Sequence, residues 1–98
     1  MLRIKGGEEM AKTQYVKCKL ASGFFDEELY VLLGSSSAIV SRDEVRIIDE
    51  PKPNAQGKGE VCVYLVEQMP DRLLVELPGQ PVVGGLRTWV PMADLSVA

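Results

Sequence analysis

Apolar and polar positions alternate from Tyr15 onward. Val16, Cys18 and Leu20 are separated by Lys17 and Lys19, the period-two pattern of a strand with one buried face. "GFFDEE" (23–28) predicts a turn. Leu29, Val31 and Leu33 then alternate with Glu28, Tyr30 and Leu32, so the two runs are expected to pair as a hairpin. "GSSS" predicts a loop, "AIVS" a short third strand, and "RDEVRII" a helical turn running into another extended piece.

"DEPKPNAQGKG" (49–59) reads as a connector, rich in proline and glycine and with no other apolar side chain larger than alanine. "EVCVYLVEQ" is apolar on both faces and predicts a central strand. "MPDR" supplies a turn, with Pro70 and Asp71 in favourable positions. Its partner strand, "LLVEL", puts Leu73, Val75 and Leu77 on one face. "PGQPVVGGLR" reads as a long loop, and "TWVPMADLSV" closes the chain. No segment holds a 3.6-residue apolar period over three turns, so the expected fold class is all-β.

The two halves follow one plan. At an offset of 44, Cys18 falls on Cys62, Leu29 on Leu73, Val31 on Val75 and Leu33 on Leu77. After the hairpins the offset becomes 50, and Ile39-Val40 meets Trp89-Val90 while "SRDEV" meets "PMADL". The six-residue excess lies in the loop 78–88, against 34–38 in the first half. About six short strands are too few for two cores, so halves 15–48 and 60–98 are expected to share one small barrel or β-roll.

Composition narrows the function. The chain has 98 residues, 46% hydrophobic and 26% charged, with a net charge of −3. These are the proportions of a globular domain. Its basic residues are scattered, which disfavours nucleic acid, where phosphate contacts dominate affinity. No apolar run reaches the roughly 20 residues a membrane helix needs. The start lacks the apolar run of a secretory signal, and a cytoplasmic protein is expected. The codons for Lys5-Gly6-Gly7 can spell the ribosome-binding site of a bacterial gene. Met10 is therefore read as the native start, and residues 1–13 as a disordered leader. Cys18 and Cys62 sit in apolar strand patterns without C-x-x-C spacing, and are read as reduced core thiols.

The tail "GLRTWVPMADLSV" resembles the end of an SH3 domain. Trp89-Val90-Pro91 stands as the strand end, Met92–Asp94 as the one-turn 3₁₀ helix and Leu95–Val97 as the last strand. The resemblance implies an SH3-like barrel. It does not extend to the ligand groove, because Asp94 stands where the family places a tyrosine, and aromatics are few and dispersed. The run "AIVSRDEVRI", followed by hairpin 60–77, resembles the swapped-hairpin AbrB family of DNA-binding proteins. Ser41 there replaces the family's proline, and its basic residues reduce to Arg42 and Arg46, flanked by Asp43 and Glu44.

Chemistry is sparse. With no histidine, acid–base or nucleophilic catalysis would fall to carboxylates, lysines and the two thiols. The cluster "DEE" (26–28) is read as solvated turn chemistry rather than a metal site. No glycine loop carries the lysine and helix of a phosphate cradle. The expectation is a non-enzymatic protein without metal or cofactor. Two surfaces are candidates for partner contact. One is the 78–89 loop, with adjacent Val82 and Val83 followed by Arg87 and Trp89; the other is the tip Phe24/Phe25, where one ring is expected to plug the core. The function expected is an interaction module for a protein partner or a second copy of itself. A swapped-hairpin DNA-binding regulator and a small-molecule-binding barrel stand as alternatives.

Overall fold

The period-two runs become strands wherever they were expected, and the structure adds one more in the stretch read as a long loop. The computed structural model describes residues 13–23 and 25–96. Nine strands form one antiparallel sheet, with no α-helix among the described residues. In the first half β1 (Thr13–Ser22), β2 (Glu28–Leu33) and β3 (Ser36–Ser41) lead into a 3₁₀ turn (Arg42–Glu44) and β4 (Val45–Asp49). In the second half β5 (Gly57–Gln68), β6 (Arg72–Glu76), β7 (Gln80–Val83) and β8 (Arg87–Pro91) lead into a 3₁₀ turn (Met92–Asp94) and β9 (Leu95–Ser96). The connector is shorter than 49–59, because Asp49 still belongs to β4 and Gly57 already to β5. The leader reading lies outside the described residues, apart from Thr13, which opens β1.

The sheet runs β7-β3-β2-β1-β5-β6-β8, with β4 also on β5 and β9 also on β1. It curls into a half-barrel around a single core. Val16 and Leu20 from β1, Leu29, Val31 and Leu33 from β2, and Val61 and Val63 from β5 are buried there together with Leu73, Val75, Leu77 and Val90. Fully burying side chains of this size contributes about 1.5–3 kcal/mol each, so the inward stripe rather than any turn decides the fold.

At the centre β1 and β5 pair along eight residues, Val16 directly opposite Val61. Val16 also faces Leu95 of β9, as Val61 faces Val45 of β4. Leu20 pairs with Val31, and Leu65 with Val75. These registers correct the expected overlay along the first strands. Val16 corresponds to Val61 and Leu20 to Leu65, an offset of 45 rather than 44. A bulge in β5 between Leu65 and Glu67, at Val66, shifts the count again before the hairpin turn. Beyond the turn the offset of 44 holds for β2 and β6, and 50 for the two 3₁₀ turns. Cys18 and Cys62 are therefore not equivalent. Cys18 lies on the core side with Val16 and Leu20, whereas Cys62 is on the outer face beside exposed Tyr64.

One hydrogen bond repeats in both halves. The N–H of Arg42 donates to the Glu27 carbonyl at 3.0 Å, and that of Met92 to the Asp71 carbonyl at 3.0 Å. Each ties a 3₁₀ turn to the preceding hairpin tip. Ser41 caps the first turn by accepting from the Asp43 N–H at 3.3 Å; Pro91, at the equivalent position, offers no side-chain cap.

Closure depends on two glycines. After β2 the chain turns at Gly34 (φ +58°) against the edge of β8, where a Cβ would lie 2.9 Å from the Trp89 carbonyl oxygen. After β6 it crosses at Gly79 (φ +86°) onto β3, where a Cβ would collide with the Ile39 carbonyl oxygen. The ends are then stitched by side chains. The Ser35 N–H donates to Thr88 Oγ1 at 3.2 Å, and Ser36 Oγ donates to the Gly84 carbonyl at 3.2 Å.

A Gly79→Ala variant is expected to lose roughly 3 kcal/mol, since it combines left-handed backbone strain with a collision against main chain. Gly85 also has positive φ, but a Cβ there would meet nothing within 4 Å, so Gly85→Ala should lose only about 1–2 kcal/mol. Denaturant unfolding of both variants checks this, and equal losses would contradict the closure geometry.

Candidate interaction surfaces

The connecting segment that is six residues longer in the second half contains β7. The Leu77 N–H donates to the Leu86 carbonyl at 2.8 Å, closing the base of an excursion that spans 78–85. Within it Gln80–Val83 pairs antiparallel with β3, Ser37 opposite Val83 and Ile39 opposite Gln80, with a register shift between them. The expected loop is therefore an edge strand, laid on the first half rather than folded back on its own neighbours. All four of its residues are exposed, Val82 at 49% and Val83 at 60%. Pro81 has no N–H to offer, and β7 is short; both features limit indiscriminate pairing at a sheet edge.

The other predicted contacts lie on other elements. Arg87 and Trp89 lie on β8, at the opposite end of the sheet order from β7. Arg87 Nε lies 2.9 Å from Glu76 Oε1 across β6, and the Arg72 guanidinium sits 4.3 Å from the centroid of the Trp89 ring. Trp89 is 37% exposed and faces Leu74 in register. Exposed Tyr64 and Val66 continue this outer face on β5. Sequence reading missed both as surface residues. The signal was there: apolar residues at the outward positions of "EVCVYLVEQ" were assigned to burial on two faces, whereas only the inward set is covered. Phe25 is 70% exposed at the β1–β2 tip, and Phe24 lies outside the described residues.

Arg42 and Arg46, the basic residues of the DNA-binding alternative, are both engaged within the fold. Arg42 reaches the Asp26 carbonyl through Nε and Glu50 through both terminal nitrogens. The hydrogen bond with Glu50 raises the arginine pKa and lowers the carboxyl pKa. Arg46 stacks 3.6 Å from the Tyr15 ring centroid, and its Nε lies 3.1 Å from Glu60 Oε1. That distance gives Coulomb attraction, but Nε and Nη2 are buried without a well-aligned hydrogen bond. Ser96 Oγ donates to Glu60 Oε2 at 2.7 Å. Tyr15, Arg46, Glu60 and Ser96 thus form one polar cluster over the β1–β5 pair.

Both cysteines are free and partly buried. The Cys18 thiol is pushed up to about 12, chiefly by burial and secondly by Glu60, against a lowering hydrogen bond with the Val61 backbone. Cys62 is also raised, by burial first and then by Glu44, with Arg46 opposing. A thiol held protonated is a poor nucleophile. Among the described residues no group of three acidic or thiol side chains is arranged to hold a metal ion, and no helix is long and apolar enough to cross a membrane. No family model matches the chain, and neither the curated proteins nor the solved structures contain a match.

The thiol shift fixes the sign of a pH effect. Cys18 binds its proton more tightly in the folded chain, so the stability it contributes is complete below the ordinary thiol value of 9.0 and is lost as pH rises through about 12. Denaturant midpoints over that interval should fall less steeply in Cys18→Ala than in the native chain. Parallel slopes would contradict the assignment.

Proposed function

We propose that this chain is a non-catalytic interaction module, an SH3-like small barrel that associates with a protein partner through β7, the simplest partner being a second copy of itself. One observation carries the reading: the segment present only in the second half forms an exposed edge strand with two adjacent valines facing solvent. Exposed apolar side chains on an unpartnered edge favour strand addition, and two β7 edges meeting antiparallel would give a two-fold interface. The Tyr64–Trp89 face adds aromatic area of the kind that anchors protein contacts. The repeated order of hairpin, strand, 3₁₀ turn and strand supports an origin by internal duplication. Two free thiols suit the reducing cytoplasm of a bacterial cell. The ion pairs of Arg42 and Arg46 weigh against DNA as the partner.

Sedimentation of the native chain against Val82→Ser/Val83→Ser tests the proposal. The native protein is expected at twice the 10.8 kDa chain mass. The variant is expected at the single-chain mass with unchanged strand content, since exposed substitutions typically alter stability by only about 0.5 kcal/mol. Equal masses for the two proteins would overturn β7 as the contact.

A further inference from the structure

We infer a second site, independent of β7: a groove at the β1–β5 pair, bordered by β2 and β4, that takes a small organic acid with an apolar body. The groove encloses about 490 Å³ and is lined by Lys17 and Lys19 of β1, Lys58 of β5, Leu32 and Leu33 of β2, and Ile48 of β4. That volume lies within the range of small-ligand sites.

Its electrostatics are the unusual part. The protein is acidic, at −3, yet three of the four lysines among the described residues line this one groove. Arg42, Arg46 and Arg87 each face a carboxylate, and Arg72 stacks on Trp89. None of the three groove lysines forms an ion pair with a described residue. Lys19 stands directly opposite Lys58 in the β1–β5 register, and like charges in that position repel. Two carboxylates lie nearest by register. Glu60, opposite Lys17, is already held by Arg46 and Ser96. Asp49, opposite Lys58 on β4, forms no ion pair with it. Asp94 is the one acid on the lining, and it too is unpaired with these lysines. An anion placed between Lys19 and Lys58 would relieve their repulsion and gain charge-assisted hydrogen bonds.

The floor sets the rest of the ligand. Leu32 faces Lys19 across the β1–β2 pair, and Ile48, 68% exposed, projects beside Lys58. The lining thus combines apolar side chains with three cations. No aromatic ring lines it for base stacking, and a net negative chain repels a polyanion at longer range. A compact carboxylate carrying an apolar chain satisfies both halves of the groove.

Octanoate, 1-octanol and acetate separate the two requirements when titrated against the full chain. Amide resonances of Gly34 and Gly59, which line the groove, report occupancy by nuclear magnetic resonance. Octanoate is expected to shift them saturably and to bind roughly tenfold more tightly than either 1-octanol or acetate. In Lys19→Gln/Lys58→Gln that preference over 1-octanol should vanish, while strand content stays native because both side chains are exposed. Octanoate binding should be unaffected by Val82→Ser/Val83→Ser, so the outcome is distinct from the β7 test. Absence of saturable octanoate shifts, equal binding of 1-octanol, or an undiminished preference in the lysine variant would overturn the site.

Discussion

Everything in this molecule hangs on the antiparallel ladder between β1 and β5. Val16 and Val61 lie opposite each other at its middle, and each also faces the last strand of the opposite half, β9 for Val16 and β4 for Val61. Each long strand then carries a hairpin partner on its other edge, β2 on β1 and β6 on β5. Neither half has enough inward side chains for a core alone. Joined through this ladder, they bury one continuous set of leucines and valines. The closing turns at Gly34 and Gly79, and the hydrogen bonds from the 3₁₀ turns to the hairpin tips, are consequences of how that paired sheet must curl.

Much of this was legible in the chain because inward residues alternate strictly. The faces of β1, β2 and β6 follow from period two, and the order of β8, 3₁₀ turn and β9 is the one that the resemblance of the tail to an SH3 domain implied. The relation between the halves was legible only in part. Apolar strands resemble one another so closely that an overlay one residue out still looks well matched, and the coincidence of Cys18 with Cys62 favoured the wrong one. The bulge at Val66 that absorbs the difference leaves no composition signal. β7 was read as a loop because Pro81 and the flanking glycines argue for punctuation. Its pairing with β3 is a long-range fact that local propensity cannot contain. The lysine groove stayed hidden for a similar reason. Lys17 and Lys19 are neighbours in sequence, but Lys58 reaches them only through the ladder.

The surfaces divide accordingly. Lys17, Lys19 and Lys58 gather without ion pairs over the β1–β5 ladder, while β5, β7 and β8 expose tyrosine, valine and tryptophan. Arginine, by contrast, is spent on internal ties: Arg42 to the hairpin tip and connector, Arg46 to the cluster over β1 and β5. Each of the four described arginines meets a carboxylate or an aromatic ring, whereas the three groove lysines meet neither.

Native-state hydrogen exchange tests the shared core most directly. If the β1–β5 ladder unites the halves, the slowest amides of β1, β2, β5 and β6 will exchange with one common opening free energy, equal to that of global unfolding. Two separate free energies, one for β1–β2 and another for β5–β6, would contradict the account.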